Sequence, residues 1–299
     1  MPAQIEGQPV VVTGGGNGIG AALALNAAAR RASTVAIVDV NEEAAASVAA
    51  QITANGSSAT VHMCDVSDAV AVDALADQLI AAHGLPGLAI ANAGVMVPMR
   101  PLLETAPADI EWLVGVNLRG VIHTMQSFGR PMVASEQGGW LLVTASEHAL
   151  GVPHLYGAPY TASKHAVLGA CDVLRSELPA HVGVSVLCPG LTASRLWNST
   201  AVRPDEFGGA LSGDPQSGTF MEATGMPAAT VAERALDGAE AGHFLIPTHY
   251  NARAYAESRA AEVTEAFDRL AEIDTTDYDV GALAARMLEQ LAATEEQTD

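Results

Sequence analysis

The sequence predicts an α/β fold, a doubly wound parallel sheet of about seven strands with helices on both faces and a helical extension at the C-terminal end. Three observations predict it. Short apolar runs rich in valine, leucine and isoleucine alternate with alanine-rich helical segments over the first 190 or so positions. The apolar runs are continuous, as strands buried on both faces require. The runs also end in glycine or polar residues, at Gly14, Asp39, Asp65, Asn92, Ser146 and Pro189, and in such sheets ligands bind beyond the carboxyl ends of the strands.

The first unit is Val10-Val11-Val12, then Thr13-Gly14-Gly15-Gly16-Asn17-Gly18-Ile19-Gly20, then a helix to about Arg31. Glycines let the backbone turn tightly and approach a ligand closely. The helix start then offers free N–H groups and a positive dipole end to a phosphate. Thr34 to Asp39 is the second strand. Asp39 stands about 20 residues past the glycines, where a carboxylate binds adenosine ribose hydroxyls and would repel a 2′-phosphate. The competing reading makes Asp39 a cap for the helix that follows. Gly16 and Val40, where a basic side chain would serve a phosphate, carry none.

Glu42 to Ala54 reads as helix, Ala59 to Met63 as strand closed by Cys64-Asp65-Val66, Asp68 to Ala82 as helix and Leu88 to Ala91 as strand before Asn92-Ala93-Gly94. Ala108 to about Ala134 reads as two helices bent near Asn117 or Gly120; Asn117 is either a functional amide or a buried structural one. Trp140 to Thr144 is a strand leading to Ala145-Ser146. Gly157 to Leu178 is a helix carrying Tyr160 and Lys164, and Val182 to Leu187 a strand ending in Cys188-Pro189-Gly190.

Lys164 is the only lysine, against thirteen arginines. At i and i+4 on a helix, Tyr160 and Lys164 share a face with Cβ atoms about 5–6 Å apart. An arginine fork would not replace a compact ammonium there. The bland alternative is a solvated lysine beside an unrelated tyrosine.

From Thr192 to Met226 glycine, proline and serine become frequent, with Leu196, Trp197, Phe207, Leu211 and Phe220 scattered among them. A segment of this length after a strand end reads as a substrate lid. A helix (Ala228 to Ala241), a strand (His243 to Ile246) and a long helix (Ala252 to Ile273) follow, then an acidic stretch from Asp274 to Asp299 that reads as a frayed tail. No linker or repeat interrupts the chain, so residues 1–250 form one domain, with the lid at 192–226. Residues 251–299 form the extension.

The 299 residues are 49% apolar, 16% charged and carry a net charge of −20. That balance excludes nucleic acid and anionic membrane as partners, since both need basic patches. No signal peptide or membrane span is evident, so the cytoplasm is the default. The three cysteines are too dispersed for a disulfide framework or a zinc site. The histidines, among them His148, His154, His243 and His249, lack zinc-hydrolase spacing, and no metal is expected.

The glycine loop, Asn92-Ala93-Gly94, Asn117, Ser146, the Tyr160/Lys164 pair and Pro189-Gly190 stand in an order that closely resembles the short-chain dehydrogenase/reductase family, over about residues 8 to 250. The resemblance implies a Rossmann-type fold, a nicotinamide cofactor, hydride transfer at a carbinol or carbonyl carbon, and homodimers or homotetramers. By resemblance, Tyr160 is the general acid/base, Lys164 binds the nicotinamide ribose and lowers the tyrosine pKa, Ser146 holds the substrate oxygen, and Asn117 holds a relay water. Gly14, Asn17, Gly18, Ile19, Gly20, Asp39, Asp65, Val66, Asn92, Ala93, Gly94, Pro189, Gly190, Thr192 and Ser194 are the implied cofactor contacts, with Asp39 selecting NAD. Ser146 precedes Tyr160 by 14 residues where 13 is common, so the intervening loop is expected to bulge.

His148, His154, Tyr156, Leu196 and Trp197 are candidate substrate contacts, and the apolar lid suggests a hydrophobic or aromatic small molecule. A tyrosine of ordinary pKa near 10 is a poor base at neutral pH. Lowering it by about three units needs roughly 4 kcal/mol. One cation about 4 Å away at an effective dielectric of 20 supplies about that much. The expected activity is therefore NAD-dependent interconversion of a secondary alcohol and a ketone. Two alternatives remain: a 3-oxoacyl-thioester reductase of the same family, and a non-catalytic dinucleotide-sensing regulatory protein.

Overall fold

In the computed structural model, residues 2–273 and positions 281, 285 and 287 are described. The expected acidic tail from Asp274 lies outside them, save those three positions. Two compact units divide the chain, residues 1–256 and 257–299.

The first unit is built on a seven-stranded, wholly parallel sheet. Its strands are β1 (Pro9–Thr13), β2 (Thr34–Asp39), β3 (Ala59–Met63), β4 (Leu88–Ala91), β5 (Gly139–Thr144), β6 (Val182–Cys188) and, after two short strands elsewhere, β9 (Leu245–Pro247). They lie in the order β3-β2-β1-β4-β5-β6-β9. The order reverses between β1 and β4, the switch point at which ligands bind in open α/β sheets. Helices α1 (Gly18–Ala29), α2 (Glu42–Ala54) and α8 (Ala228–Glu240) cover one face. The other face carries α3 (Ala69–His83), α4 (Pro107–Val114), α5 (Val121–Ala134) and α6 (Ala158–Glu177).

The strand sequences account for both layers. Along β1, Val10 and Val12 point into one core while Val11 points into the other, the alternation that successive Cβ atoms impose. Fully burying a valine contributes about 1.5–3 kcal/mol, so a slip of one residue would still bury apolar groups; polar ties must then fix the register. Thr13 supplies one: its buried hydroxyl donates to Ile90 O (3.2 Å) and accepts from the N–H groups of Asn92 (3.0 Å) and Ala93 (3.2 Å). Donor and both lone pairs are thereby used.

The long helical stretch changes its winding where the sequence placed a bend. Between α4 and α5 the chain forms a π-helical turn, Gly115–Gly120, with Asn117 inside it. Such turns recur at functional sites. Gly120 is needed there, because a Cβ would sit 2.5 Å from a Val66 methyl.

The segment after β6 is more ordered than its composition suggests. Strands β7 (Thr192–Ala193) and β8 (Met226–Pro227) pair with each other and pin its two ends together. Between them lie two 3₁₀ turns, Leu196–Val202 and Asp205–Phe207, and helix α7 (Pro215–Thr224). The Asp214 carboxylate caps α7 by accepting from Gln216 N (3.0 Å) and Ser217 N (3.1 Å), with Pro215 in the first turn where no donor is lost. Helix α9 (Ala252–Ala271) begins in the first unit and runs into the second. No helix among the described residues is long and apolar enough to cross a membrane.

Candidate active site

The residues that follow β1, β2, β4, β5 and β6 converge at one edge of the sheet. Gly14 adopts φ +64° and packs so tightly on the β4 end that a Cβ would lie 2.7 Å from Ala93 Cα. A Cβ at Gly20 would lie 2.0 Å from Gly14 O. The loop is thus folded back on itself, and α1 starts without a side-chain cap: Asn17 makes no capping hydrogen bond. Its first N–H groups are left for an anion. Gly18, at φ +52°, has Ser194 close above it, so the segment after β6 meets the glycine loop. These features fit a dinucleotide pyrophosphate.

Asp39 braces this loop. Its carboxylate accepts from Gly16 N (2.9 Å) and Asn41 N (2.9 Å). The cap of α2 is Asn41, which accepts from Ala44 N at 3.0 Å. The cap reading of Asp39 is therefore set aside. Two N–H donors leave lone pairs free for hydroxyls. A Cβ at Gly16 would stand 2.9 Å from that carboxylate, so this position cannot carry a basic side chain as the loop stands.

Asp65 turns its own loop by accepting from Ser67 N (2.8 Å), and Val66 is buried beneath α5, its carbonyl bonded to His123. Asn92 is a structural tie as well as a cofactor candidate. Its amide nitrogen donates to Thr13 O (3.1 Å) and Gly14 O (3.3 Å), and its oxygen accepts from the Thr144 hydroxyl (3.1 Å). Asn117, fully buried, clamps the Val95 backbone in both directions, accepting from N–H at 2.7 Å and donating to C=O at 2.9 Å. Gly94 lies between Asn117 and Lys164: a Cβ there would be 3.5 Å from Asn117 Oδ1 and 3.7 Å from Lys164 Nζ.

Tyr160 and Lys164 are both buried on α6, and the solvated-lysine reading fails. The Ser146 hydroxyl lies near enough to the Tyr160 phenol to oppose the rise in its pKa, and accepts from His148 N at 3.3 Å. Lys164 Nζ donates to Thr144 O at 2.8 Å and stands 5.6 Å from the Tyr160 ring centre. Burial pushes the phenol up to about 12, against the Ser146 hydroxyl and with help from the Glu147 charge. Burial pulls the ammonium down to about 8. In the protein alone desolvation dominates the Tyr160 phenol, and the Lys164 ammonium is spent on a backbone carbonyl.

The loop between Ser146 and Tyr160 closes over this pair. His148 and His154 stack at 4.4 Å, and both rings stand edge-on to Tyr160, at 5.9 and 6.2 Å. Burial keeps both imidazoles below their ordinary pKa. Tyr156 is half-exposed with φ +63°, a left-handed conformation that costs a non-glycine residue of order 1–3 kcal/mol. Its carbonyl is held by Arg100 N at 3.2 Å.

Leu196 packs on the core cluster that includes Tyr160, and the Trp197 indole lies close to Gly213 and Gly218 within residues 192–226.

Pro189 and Gly190 follow β6. Gly190 N–H donates to His249 Nδ1 at 3.0 Å, Thr192 Oγ1 donates to Gly190 O at 2.9 Å, and His249 Nε2 bonds Leu191 O at 3.0 Å. His249 thus braces the loop from the far side. Glu147 also lies over Gly190, with its Oε2 buried and unpartnered and its pKa raised by burial. Neither role is legible in the sequence, where Glu147 is one acid among 34 and His249 lies 59 positions from its partner Gly190. Among the described residues no group of three or more His, Cys, Asp or Glu could hold a metal ion. Cys64, Cys171 and Cys188 are buried free thiols.

The family model described as short chain dehydrogenase matches residues 8–204. The chain belongs to that family. It is 37% identical over 192 residues to a probable oxidoreductase, EphD, of Mycobacterium bovis, a match covering 64% of this chain and 32% of the relative. The chain thus spans about a third of that relative's length. It is 32% identical over 194 residues to D-threitol dehydrogenase of Mycolicibacterium smegmatis, covering 64% of this chain and 73% of that one. A short-chain dehydrogenase/reductase of Burkholderia phymatum, solved in complex with NAD, superposes with a TM-score of 0.81 at 28% identity, covering 91% of this chain and 98% of that one. Its seven-stranded parallel sheet is the Rossmann-type fold of this family.

Proposed function

We propose that this protein interconverts a secondary alcohol and a ketone with NAD(H), using Tyr160 as the proton donor and acceptor. The observation that carries the proposal is the buried Ser146–Tyr160–Lys164 cluster set beside the glycine loop at the sheet's switch point. A buried lysine is costly unless it is paired or used.

Asp39, at the end of β2, would take the adenosine ribose hydroxyls, Gly14 to Gly20 the pyrophosphate, and Thr192 and Ser194 the nicotinamide side. NAD supplies the hydride acceptor and, in its oxidised form, a positive charge. Ser146 orients the substrate oxygen by donating to it. Tyr160 passes its proton to that oxygen in ketone reduction and recovers it in alcohol oxidation. In the protein alone burial keeps the phenol protonated at neutral pH, the form that donates in ketone reduction. In alcohol oxidation the positive charge of a bound oxidised nicotinamide would favour the phenolate of Tyr160.

The D-threitol dehydrogenase relative supports an alcohol as substrate class. The subunits pair as dimers or tetramers in this reading. The test is the near-ultraviolet absorbance of reduced nicotinamide, followed with NAD and NADP against secondary alcohols. Turnover with NAD well above NADP is expected. Preference for NADP would remove the role given to Asp39.

A further inference from the structure

The loop between Ser146 and Tyr160 holds two imidazoles whose hydrogen positions the surroundings fix. His148 Nδ1 lies 3.0 Å from Val152 O. A carbonyl only accepts, so Nδ1 carries the proton and Nε2 is left as a bare acceptor. His154 Nδ1 is buried without any partner, against the Gly157 backbone. An orphaned buried N–H is rarer than an under-used lone pair, so the proton of His154 sits on Nε2, which is a donor. Among the described residues neither Nε2 has a hydrogen-bond partner, and neither is sealed from solvent. The two rings are stacked within 11° of parallel and both stand edge-on to Tyr160. The loop that carries them is held in a strained shape at Tyr156 by the Arg100 N–H.

One ring thus offers an acceptor and its neighbour a donor, beside the group that handles the reacting oxygen. A hydroxyl, which gives one proton and takes another, matches that pair. A carbonyl or ether matches only the donor, and a methyl matches neither.

We propose that His148 and His154 read a second hydroxyl on the substrate, one carbon from the reacting carbon, so that the enzyme selects vicinal diols and 2-hydroxy ketones over simple alcohols and ketones. The proposal rests on the reading of Tyr160 as the proton-transfer group.

The test compares 3-hydroxybutan-2-one, 3-methoxybutan-2-one and butan-2-one, both as ligands of the NADH complex by calorimetry and as substrates in kcat/KM. In the wild type the hydroxy ketone should be favoured over the plain ketone about ten- to a hundredfold, as befits one satisfied hydrogen-bonding pair. The methyl ether should fall between them. His148→Phe should erase the advantage of hydroxyl over methoxyl, and His154→Phe should lower both towards the plain ketone. His148→Gln, which keeps an acceptor, should recover part of the discrimination. Thermal melts and NADH affinity of each variant establish that the fold and cofactor site persist. Equal binding of the three ketones by the wild type, or a hydroxyl advantage that survives in both phenylalanine variants, overturns the proposal. If the binding ratios behave as expected but no compound is turned over, the pair stands and the Tyr160 reading falls.

Discussion

Residues 192–226, proposed as a substrate lid, are anchored by a buried ion pair whose removal gives a measurable prediction. Arg203, after the first 3₁₀ turn of the lid, lies 2.8 Å from Asp109 in the first turn of α4, with side-chain exposures of 7% and 6%. Arg203 also donates to Phe207 O and stands 5.9 Å from the Trp112 ring centre. Asp109 Oδ1 and Arg203 Nε have no aligned hydrogen bond, so the contact is chiefly charge against charge. Asp109→Asn leaves a guanidinium buried without its counter-charge, which costs about 3–5 kcal/mol. At about 1.4 kcal/mol per factor of ten, opening of residues 196–211 should become roughly a hundred- to a few-thousandfold more frequent. Native-state proteolysis reads this directly, with cleavage concentrated in that stretch. The double variant Asp109→Leu/Arg203→Met removes both charges and should restore protection, because an apolar replacement of a buried pair is often neutral or stabilising. If the single variant is no more sensitive than the wild type, or the double variant is as sensitive as the single one, the ion pair does not hold the lid.

Two further outcomes follow from the buried groups. Burial raises the Tyr160 phenol, and the Glu147 charge adds to that rise. Glu147→Gln removes the charge, so the basic limb of the pH–rate profile should move to lower pH; a limb that stays or rises would contradict this. His148, His154 and His249 are all held below the ordinary imidazole pKa, chiefly by burial. The unfolded chain therefore binds more protons below about pH 6.5, and stability that is present above that pH is lost as pH falls through the acid range. Against the wild type, His154→Phe should lose part of this acid sensitivity in melts taken between about pH 7 and pH 5; an unchanged slope would show that His154 contributes none of it.

The sheet was legible because its strands are continuous apolar runs and each ends on a recognisable residue. The irregularity around Asn117 was legible from a polar residue and two glycines inside an otherwise apolar helix. Helix α7 was not, since Pro215, Ser217, Gly218 and Thr219 are poor helix formers, and only the Asp214-Pro215 start marks it. Tyr160 and Lys164 were found from their spacing, but their surroundings were not legible. Spacing along a helix says that two groups are near; it does not say that Thr144 O will engage the ammonium or that burial will dominate the phenol. Glu147 and His249 owe their positions to Gly190, on a strand end far away in sequence, and no local pattern marks such a contact. Trp197 is a similar case: no local pattern says that its indole packs close to Gly213 and Gly218.

The central claim is that Tyr160 transfers the proton in an NAD-dependent alcohol–ketone interconversion. The most direct measurement is the rate of NAD reduction with a secondary alcohol, wild type against Tyr160→Phe, with NADH binding measured on both. Loss of roughly a hundred- to ten-thousandfold in rate is expected, the range for a positioned proton-transfer group, with NADH binding unchanged. A rate near wild type in the variant would contradict the account.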